Sequence, residues 1–429
     1  MMLRILTGIL DGLARLLIRR YAPIIVAVTG NAGKTTTKEA IARVLATRYT
    51  IRASAGNLNN ELGIPTTIIG DVGDEYYRTG GSVRFWLGVI LMGVRALVVR
   101  AAYPEVLVLE FGADHPGDIG RLASRYRPRV GVITQVGDIP VHVEFFASPR
   151  ELAAEKAKLI SVLGADDTAI LGYDDEAVRD MRTTTRAHVR TYGMGEGADV
   201  RVSDVELRIH GDAPTGISCN IQLGSNQMPV VIRHTIGVGI ARAAAAAIAV
   251  GDALGISLSD AVIALSDMKP PAGRMRIIEG IRGTTIIDDT YNASPAAMHI
   301  ALDAVRQIHA KRRVLVLGDM LELGTFSSTA HRTLGTMAGA IATVLICVGD
   351  RAKFIAEAAT PLMSADYVHT CANSREAADI VQQLLQSGDL VLVKGSQGMR
   401  MERVVLEIMA RPELASELLV RQSERWLAK

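Results

Sequence analysis

Residues 24–36, IIVAVTGNAGKTT, constrain this chain more than any other stretch. Ile24 to Val28 form a continuous apolar, largely β-branched run of the kind needed by a strand buried on both faces. Two glycines then bracket Asn31 and Ala32, and Lys34-Thr35-Thr36 lead into a helical stretch, KEAIARVLATRY. A strand ending in a glycine-rich turn at a helix N-terminus is a phosphate-binding arrangement. The glycines let backbone N–H groups approach phosphate oxygens, and the helix end adds partial positive charge. Thr29, Gly30, Asn31, Ala32, Gly33, Lys34, Thr35 and Thr36 are therefore expected around a nucleotide, with Lys34 on the β and γ phosphates and Thr35 on Mg²⁺. The strict spacing places a glycine where this chain has Val28; GxxGKTT stands without it.

The theme recurs along the 429 residues, a length that suits two to four domains. EVLVLEFGA (105–113) and RVGVITQVG (129–137) are apolar strands ending in polar residues. From about 190 to 233 the pattern changes to period-2 alternation, the mark of antiparallel strands with one wet face. An alanine-rich helix (239–255) and a proline–glycine linker, KPPAGR (269–274), follow. Then the rhythm restarts in TTIIDDTY, RRVLVLGDM, TVLICVGD and DLVLVKGS. The expected fold class is α/β. A central P-loop ATPase domain over 23–268 combines a parallel sheet with a small antiparallel one and carries an apolar helical insertion at about 71–103. A Rossmann-like, doubly wound domain follows over 269–429.

An amphipathic helix is expected over 1–22. Arg4, Asp11 and Arg15 interrupt its apolar residues and Arg19-Arg20 close it, so it is neither a signal peptide nor a spanning segment. FWLGVILMGV (85–94), bounded by Arg95, is too short to span. Two readings stand for residues 3–20 and 83–100: packing helices, or basic, apolar-faced helices resting on the inner membrane surface. A mean hydropathy of +0.23, high for a soluble enzyme, keeps the second in play. Lys plus Arg number 47 against 45 acids, which gives no argument for a nucleic-acid partner. Three separated cysteines without a CxxC fit a reducing cytoplasm.

Further motifs follow the phosphate loop in order: GNLNNELGIP (56–65), LEFGADHPGDI (109–119), Thr134-Gln135, His142 and AAEKAKLI (153–160). The second half adds PAGRM (271–275), IIDDTYNASPAAM (286–298), VLVLGDMLELG (314–324) and LVKGSQGMRME (392–402). This set resembles the Mur ligase family across residues 23 to about 408. The resemblance implies an ATP-dependent ligase that forms an amide through an acyl phosphate. Its small-molecule substrates would be a muramoyl peptide or other carboxylate and an amino acid or dipeptide amine, D-alanyl-D-alanine being favoured by GNLNNE, the DDxYNAxP string and GDMLELG. It implies ATP and two Mg²⁺ as cofactors, with Thr35, Glu110, His142 and Lys156 at the metal site. Lys156 would be carbamylated, whereas Lys158, facing about 200° away on the same helix, is expected to be a solvated charge. Arg274, Asp289, Tyr291 and Asn292 match nucleotide contacts, and Asn57, Asn59, Asn60, Lys394 and Ser396 fall on the substrate side. Lys34, Glu110, His142, Lys156 and Arg274 form the implied catalytic set.

Departures from the family pattern are Gln135 for Asn, Ser294 for Asn and Gln397 for Arg. Gly239 and Ala243 stand where an adenine-side HxxxN is usual. Phosphate capture is thus the best-supported part of nucleotide binding. Members usually carry a UDP-sugar domain before the phosphate loop; 22 residues precede Pro23 here, so the resemblance covers the chain without that domain. The alternatives are another Mur-like ligase of folylpolyglutamate or cyanophycin type, and a non-catalytic P-loop nucleotide-binding module.

Overall fold

The computed structural model describes residues 2–56, 58–113, 115–137, 146, 148–211 and 213–427. Two sheets organise it. The first contains β1 (Ile24–Thr29), β2 (Ile51–Ala53), β3 (Val106–Glu110), β4 (Val130–Ile133), β5 (Thr168–Gly172), β6 (His188–Gly193), β7 (Val200–His210), β8 (Ala213–Leu223) and β9 (Asn226–Arg233). Their order is β2-β3-β1-β4-β5-β6-β7-β8-β9. Neighbours from β2 to β7 are parallel, and β7-β8-β9 are antiparallel. The alternating segment thus extends the main sheet through the β6–β7 pairing and does not stand apart as its own sheet.

Period-2 burial explains why β1 lies in the middle. Val26 and Val28 face one core with Val106 and Val108, under the helices Lys34–Leu45 and Val238–Ala253. Ile25 and Ala27 face the other with Leu107 and Leu109, under the helices Asp118–Tyr126 and Pro149–Ser161. A strand covered on both faces must be apolar at every position, as IIVAV is. With β3 on one side of β1 and β4 on the other, the direction of winding reverses at β1, the position where open α/β sheets hold ligands beyond the strand ends.

The second sheet contains β10 (Arg276–Glu279), β11 (Thr285–Asp289), β12 (Arg313–Gly318), β13 (Val344–Val348), β14 (Val368–Cys371) and β15 (Leu390–Lys394), in the order β10-β11-β15-β12-β13-β14. Only the β10–β11 pair is antiparallel. The C-terminal residues return toward β11: Arg421 donates to the Thr290 and Tyr291 carbonyls and pairs with buried Glu402 at 2.9 Å.

The amphipathic helix runs Met2–Tyr21. Leu10 and Leu17 pack with Ile69, which ends the helix Gly63–Ile69, and with Val72, Phe85 and Val89 from the insertion, whose longest helix is Val83–Val98. Asp11 is buried; it accepts a hydrogen bond from Tyr126 at 2.9 Å and pairs with Arg15 at 3.2 Å. The packing reading therefore describes one face of each helix. Among the described residues no helix is long and apolar enough to cross a membrane.

Candidate active site

The phosphate loop is fastened by backbone contacts. Asn31 and Ala32 donate their N–H groups to the Gln135 carbonyl at 2.8 and 3.2 Å, the Asn31 amide donates to Val136 O at 2.7 Å, and Thr134 Oγ1 donates to Ala32 O at 2.7 Å. Gly30 has φ +144°, and a Cβ there would lie 2.0 Å from Thr134 Oγ1, so this close approach excludes any side chain. Gly33, at φ +81°, caps the helix Lys34–Leu45 in the left-handed region. Lys34 folds back to donate from Nζ to Gly30 O at 2.8 Å. Gln135 serves through its carbonyl, which is why the side-chain change from the family's Asn leaves the loop intact.

Beside the loop, Thr35 Oγ1 donates to Glu110 Oε2 at 2.9 Å, and Asn59 Nδ2 to Glu110 Oε1 at 3.1 Å. Arg274 reaches from the second half: Nη2 donates to Thr35 Oγ1 at 2.9 Å, and the guanidinium lies 3.9 Å from the Tyr291 ring centroid. Asp289, ending β11, accepts from the Met275 N–H at 3.2 Å and pairs with Lys394, ending β15, at 2.6 Å. The two are register partners, so adjacent parallel strands place them side by side. Lys394 also donates to Asn292 O at 2.9 Å, and Asn292 Oδ1 accepts from Gln397 N at 3.3 Å. Ser396 Oγ accepts from Leu321 N at 2.9 Å, which ties the KGS and GDMLELG segments together.

These groups border one cavity of about 480 Å³, lined by Asn31 to Thr37, Asn59, Asn60, Glu110, Arg274, Asp289, Tyr291, Asn292, Lys394 and Ser396. It is of a size that holds a nucleotide or similar small molecule. Asn60 Oδ1 also accepts from Leu62 N at 3.1 Å and Gly63 N at 3.0 Å, just ahead of the helix Gly63–Ile69. Two expected residues are placed differently. The Thr29 hydroxyl is buried and donates to Phe111 O at 2.9 Å, so it holds β1 to β3 and does not line the cavity. Lys156 is no surface cation: it is 2% exposed and lies outside the cavity lining. Lys158 is not a plain solvated charge either, because it pairs with Glu155 at 2.6 Å. That buried carboxylate accepts from the Gly117 and Ile119 N–H groups; burial pushes its pKa up, but Lys158 and these N–H groups prevail and hold it below the usual range. Asn57 and His142 lie outside the described residues.

Sequence reasoning missed three acidic groups and a partner. Asp174 lines the cavity, pairs with Arg242 at 2.8 Å and accepts from Met194 and Gly195 N–H groups. Asp175 accepts from Val136 and Gly137 N–H groups and so braces the segment that fastens the phosphate loop. YDDE, directly after β5, carries the same strand-end signal as the DDTY that ends β11. Asp288 is fully buried and accepts from Gly273 N at 3.1 Å and Thr290 Oγ1 at 2.6 Å, fixing the turn that presents Arg274; burial pushes its carboxyl up to about 6 against these bonds. Gly239 and Ala243 line the cavity without a polar side chain, leaving Tyr192, Asp174 and Arg242 as nearby polar groups.

Two family profiles match the chain: the Mur ligase middle domain at residues 28–75 and 92–250, and the Mur ligase glutamate ligase domain at 273–397. A UDP-N-acetylmuramoyl-tripeptide–D-alanyl-D-alanine ligase of Bacillus subtilis is 29% identical over 94% of this chain and 79% of its own length. The Escherichia coli protein of the same name is 28% identical over 90% and 77%. Among solved structures, a MurF ligase from Thermotoga maritima in complex with ADP superposes with a TM-score of 0.76 at 25% identity, covering 94% of this chain and 83% of that one. A Mycobacterium tuberculosis folylpolyglutamate synthase with ADP, at 15% identity and a TM-score of 0.65, covers 92% and 94% and shares the fold.

Proposed function

The chain belongs to the Mur ligase family, ATP-dependent enzymes that join an acid to an amine as an amide, and we propose that it adds D-alanyl-D-alanine to a muramoyl tripeptide. The observation that carries this reading is the junction at Thr35, where the phosphate loop, Glu110 and Arg274 meet on one cavity. The relatives' printed substrates supply the chemical class. In the proposed reaction a substrate carboxylate oxygen takes the γ-phosphoryl group of ATP, giving an acyl phosphate and ADP. The dipeptide amine then attacks the acyl carbon, loses a proton, and phosphate leaves as the amide forms.

The protein contributes mainly position and charge. Loop N–H groups other than those of Asn31 and Ala32 hold the phosphates together with Lys34, and Arg274, stacked on Tyr291, offers a second cation where phosphoryl charge moves. Asp289 and Asn292 stand on the ribose side, while Asn59, Asn60, Lys394 and Ser396 face the substrates. Magnesium fits as well: Thr35 Oγ1 and Glu110 Oε2 are hard oxygen donors 2.9 Å apart at the cavity wall, and Mg²⁺ commonly takes one or two protein oxygens and fills the rest with water and phosphate. When bound it would neutralise phosphate charge. His142 and a carbamylated Lys156 are proposed for the metal set from the family pattern, Lys156 lying outside the cavity lining. For Lys156 the structural support is its shielded, buried amine alone; the test is whether acetate or formate restores activity to Lys156→Ala. ATP and these substrates put the enzyme in the cytoplasm, with peripheral contact at the inner membrane face through residues 3–20 and 83–100.

Phosphate release decides the main proposal. With ATP, Mg²⁺ and a muramoyl tripeptide, D-alanyl-D-alanine should accelerate it strongly, and UDP-linked and free peptides compared side by side should show which acid is used. Release indifferent to every amine would overturn the substrate assignment.

A further inference from the structure

Two helices expose apolar side chains that the fold does not use. On Met2–Tyr21, Ile5, Ile9 and Leu16 recur at helical spacing and are 43–55% exposed; on Val83–Val98, Leu87, Leu91 and Val98 do the same at 55–74%. The helices pack side by side. A Cβ on Gly93 would lie 3.2 Å from Leu13, and the Tyr21 hydroxyl donates to Ala96 O at 2.8 Å. Every exposed charge on the pair is an arginine. Arg4, Arg15, Arg19 and Arg20 lie on the first helix, Arg84 and Arg95 on the second, and the one acid, Asp11, is buried.

We propose that this helix pair docks on an anionic lipid bilayer surface, its aliphatic side chains entering the headgroup boundary and its arginines meeting the lipid phosphates. It deepens the peripheral contact of these residues by naming what they touch. Apolar area and cationic attraction reinforce each other on such a surface. A second copy of the chain is the poorer occupant, because pairing this face with itself would set arginine against arginine with no exposed acid on either helix to offset the repulsion. The face also stands apart from the catalytic pattern: the first helix precedes residue 28, and residues 76–91 fall between the two matched segments of the middle-domain profile.

Vesicle sedimentation of the full chain tests this. Wild type should co-sediment with phosphatidylglycerol-containing vesicles and stay in the supernatant with pure phosphatidylcholine. Leu87→Glu with Leu91→Glu, and separately Arg19→Glu with Arg20→Glu, should each weaken that binding at least about tenfold. These are exposed positions, so melting temperature and ATP-dependent phosphate release without vesicles should match wild type. Binding to neither vesicle would overturn peripheral contact altogether. Equal binding to both would leave contact standing and overturn the anionic partner. A dimer in solution that the leucine variants dissociate, without vesicle binding, would hand the face to a second copy.

Discussion

The two walls of the cavity are built on different principles. The phosphate-loop wall is held by main-chain bonds: N–H groups of residues 31 and 32 on the Gln135 carbonyl, and a glycine where no Cβ fits. The opposite wall is held by buried charge: Asp289 against Lys394, Asp288 under the Gly273 turn, and Arg421 binding the Thr290 and Tyr291 carbonyls. A wall made of backbone tolerates side-chain exchange, as at position 135. A wall made of paired charges does not, because removing one partner strands the other in low dielectric.

Four measurements would break or sharpen this contrast. Lys34→Ala removes a side chain that the loop's framework does not need. Turnover should fall roughly 10³-fold, about 4 kcal/mol of transition-state stabilisation, while the nucleotide-free melting temperature stays near wild type. Asp289→Asn acts on the other wall. It should cost about 3 kcal/mol of stability by chemical denaturation, part of which Lys394→Met in the same chain should restore. Equal stability of Asp289→Asn and wild type would mean that the charge wall tolerates side-chain exchange as the loop wall does.

The third measurement is pH. Asp288 titrates at about 6 in the fold and near 4 in the unfolded chain. Between those values the folded state keeps a proton that the unfolded state has released, so this group's contribution is present at low pH and lost as pH rises through 6. The span is about 2–3 kcal/mol, and Asp288→Asn should flatten that part of the stability profile. The smallest effect belongs to Lys158→Ala. Half-exposed Lys158 supports buried Glu155, so about 0.5–1 kcal/mol of stability should go with little change in turnover.

The same contrast explains what the sequence revealed. The loop wall was legible because strand, glycines and helix are contiguous in IIVAVTGNAGKTT, and each residue's requirement is local. Arg274, Asp289, Tyr291 and Asn292 were legible only through the ordered motifs, since nothing local says that β11 and β15 lie side by side. Asp174, Asp175 and Asp288 were missed because their work is to hold N–H groups far away in sequence, and an aspartate after a strand looks the same whether it does that or faces water. Thr29 was misplaced for a related reason: it ends β1, where the Phe111 carbonyl just after β3 takes its hydroxyl, and a motif read as a string does not record which partner each residue finds. The helix pair was legible in pattern, but only packing could show that each helix buries one face and leaves the other bare.

The alanine-rich helix Val238–Ala253 has one further consequence. It lies against the helix Lys34–Leu45, and its alanines from 244 to 247 are almost wholly buried and absent from the cavity lining. Gly251 is so near Val44 that a Cβ there would sit 2.9 Å away. The row of methyl groups therefore works as a shim of fixed thickness behind the helix that begins with Lys34. Thickening it on the face that Gly251 shares with Ala247, as in Ala247→Leu, would tilt or lift that helix, because a close-packed interior cannot absorb the added volume in place. Fine adjustment of where the ammonium of Lys34 comes to rest is thus set at residues that never face the cavity, and a survey restricted to the cavity wall would pass them by.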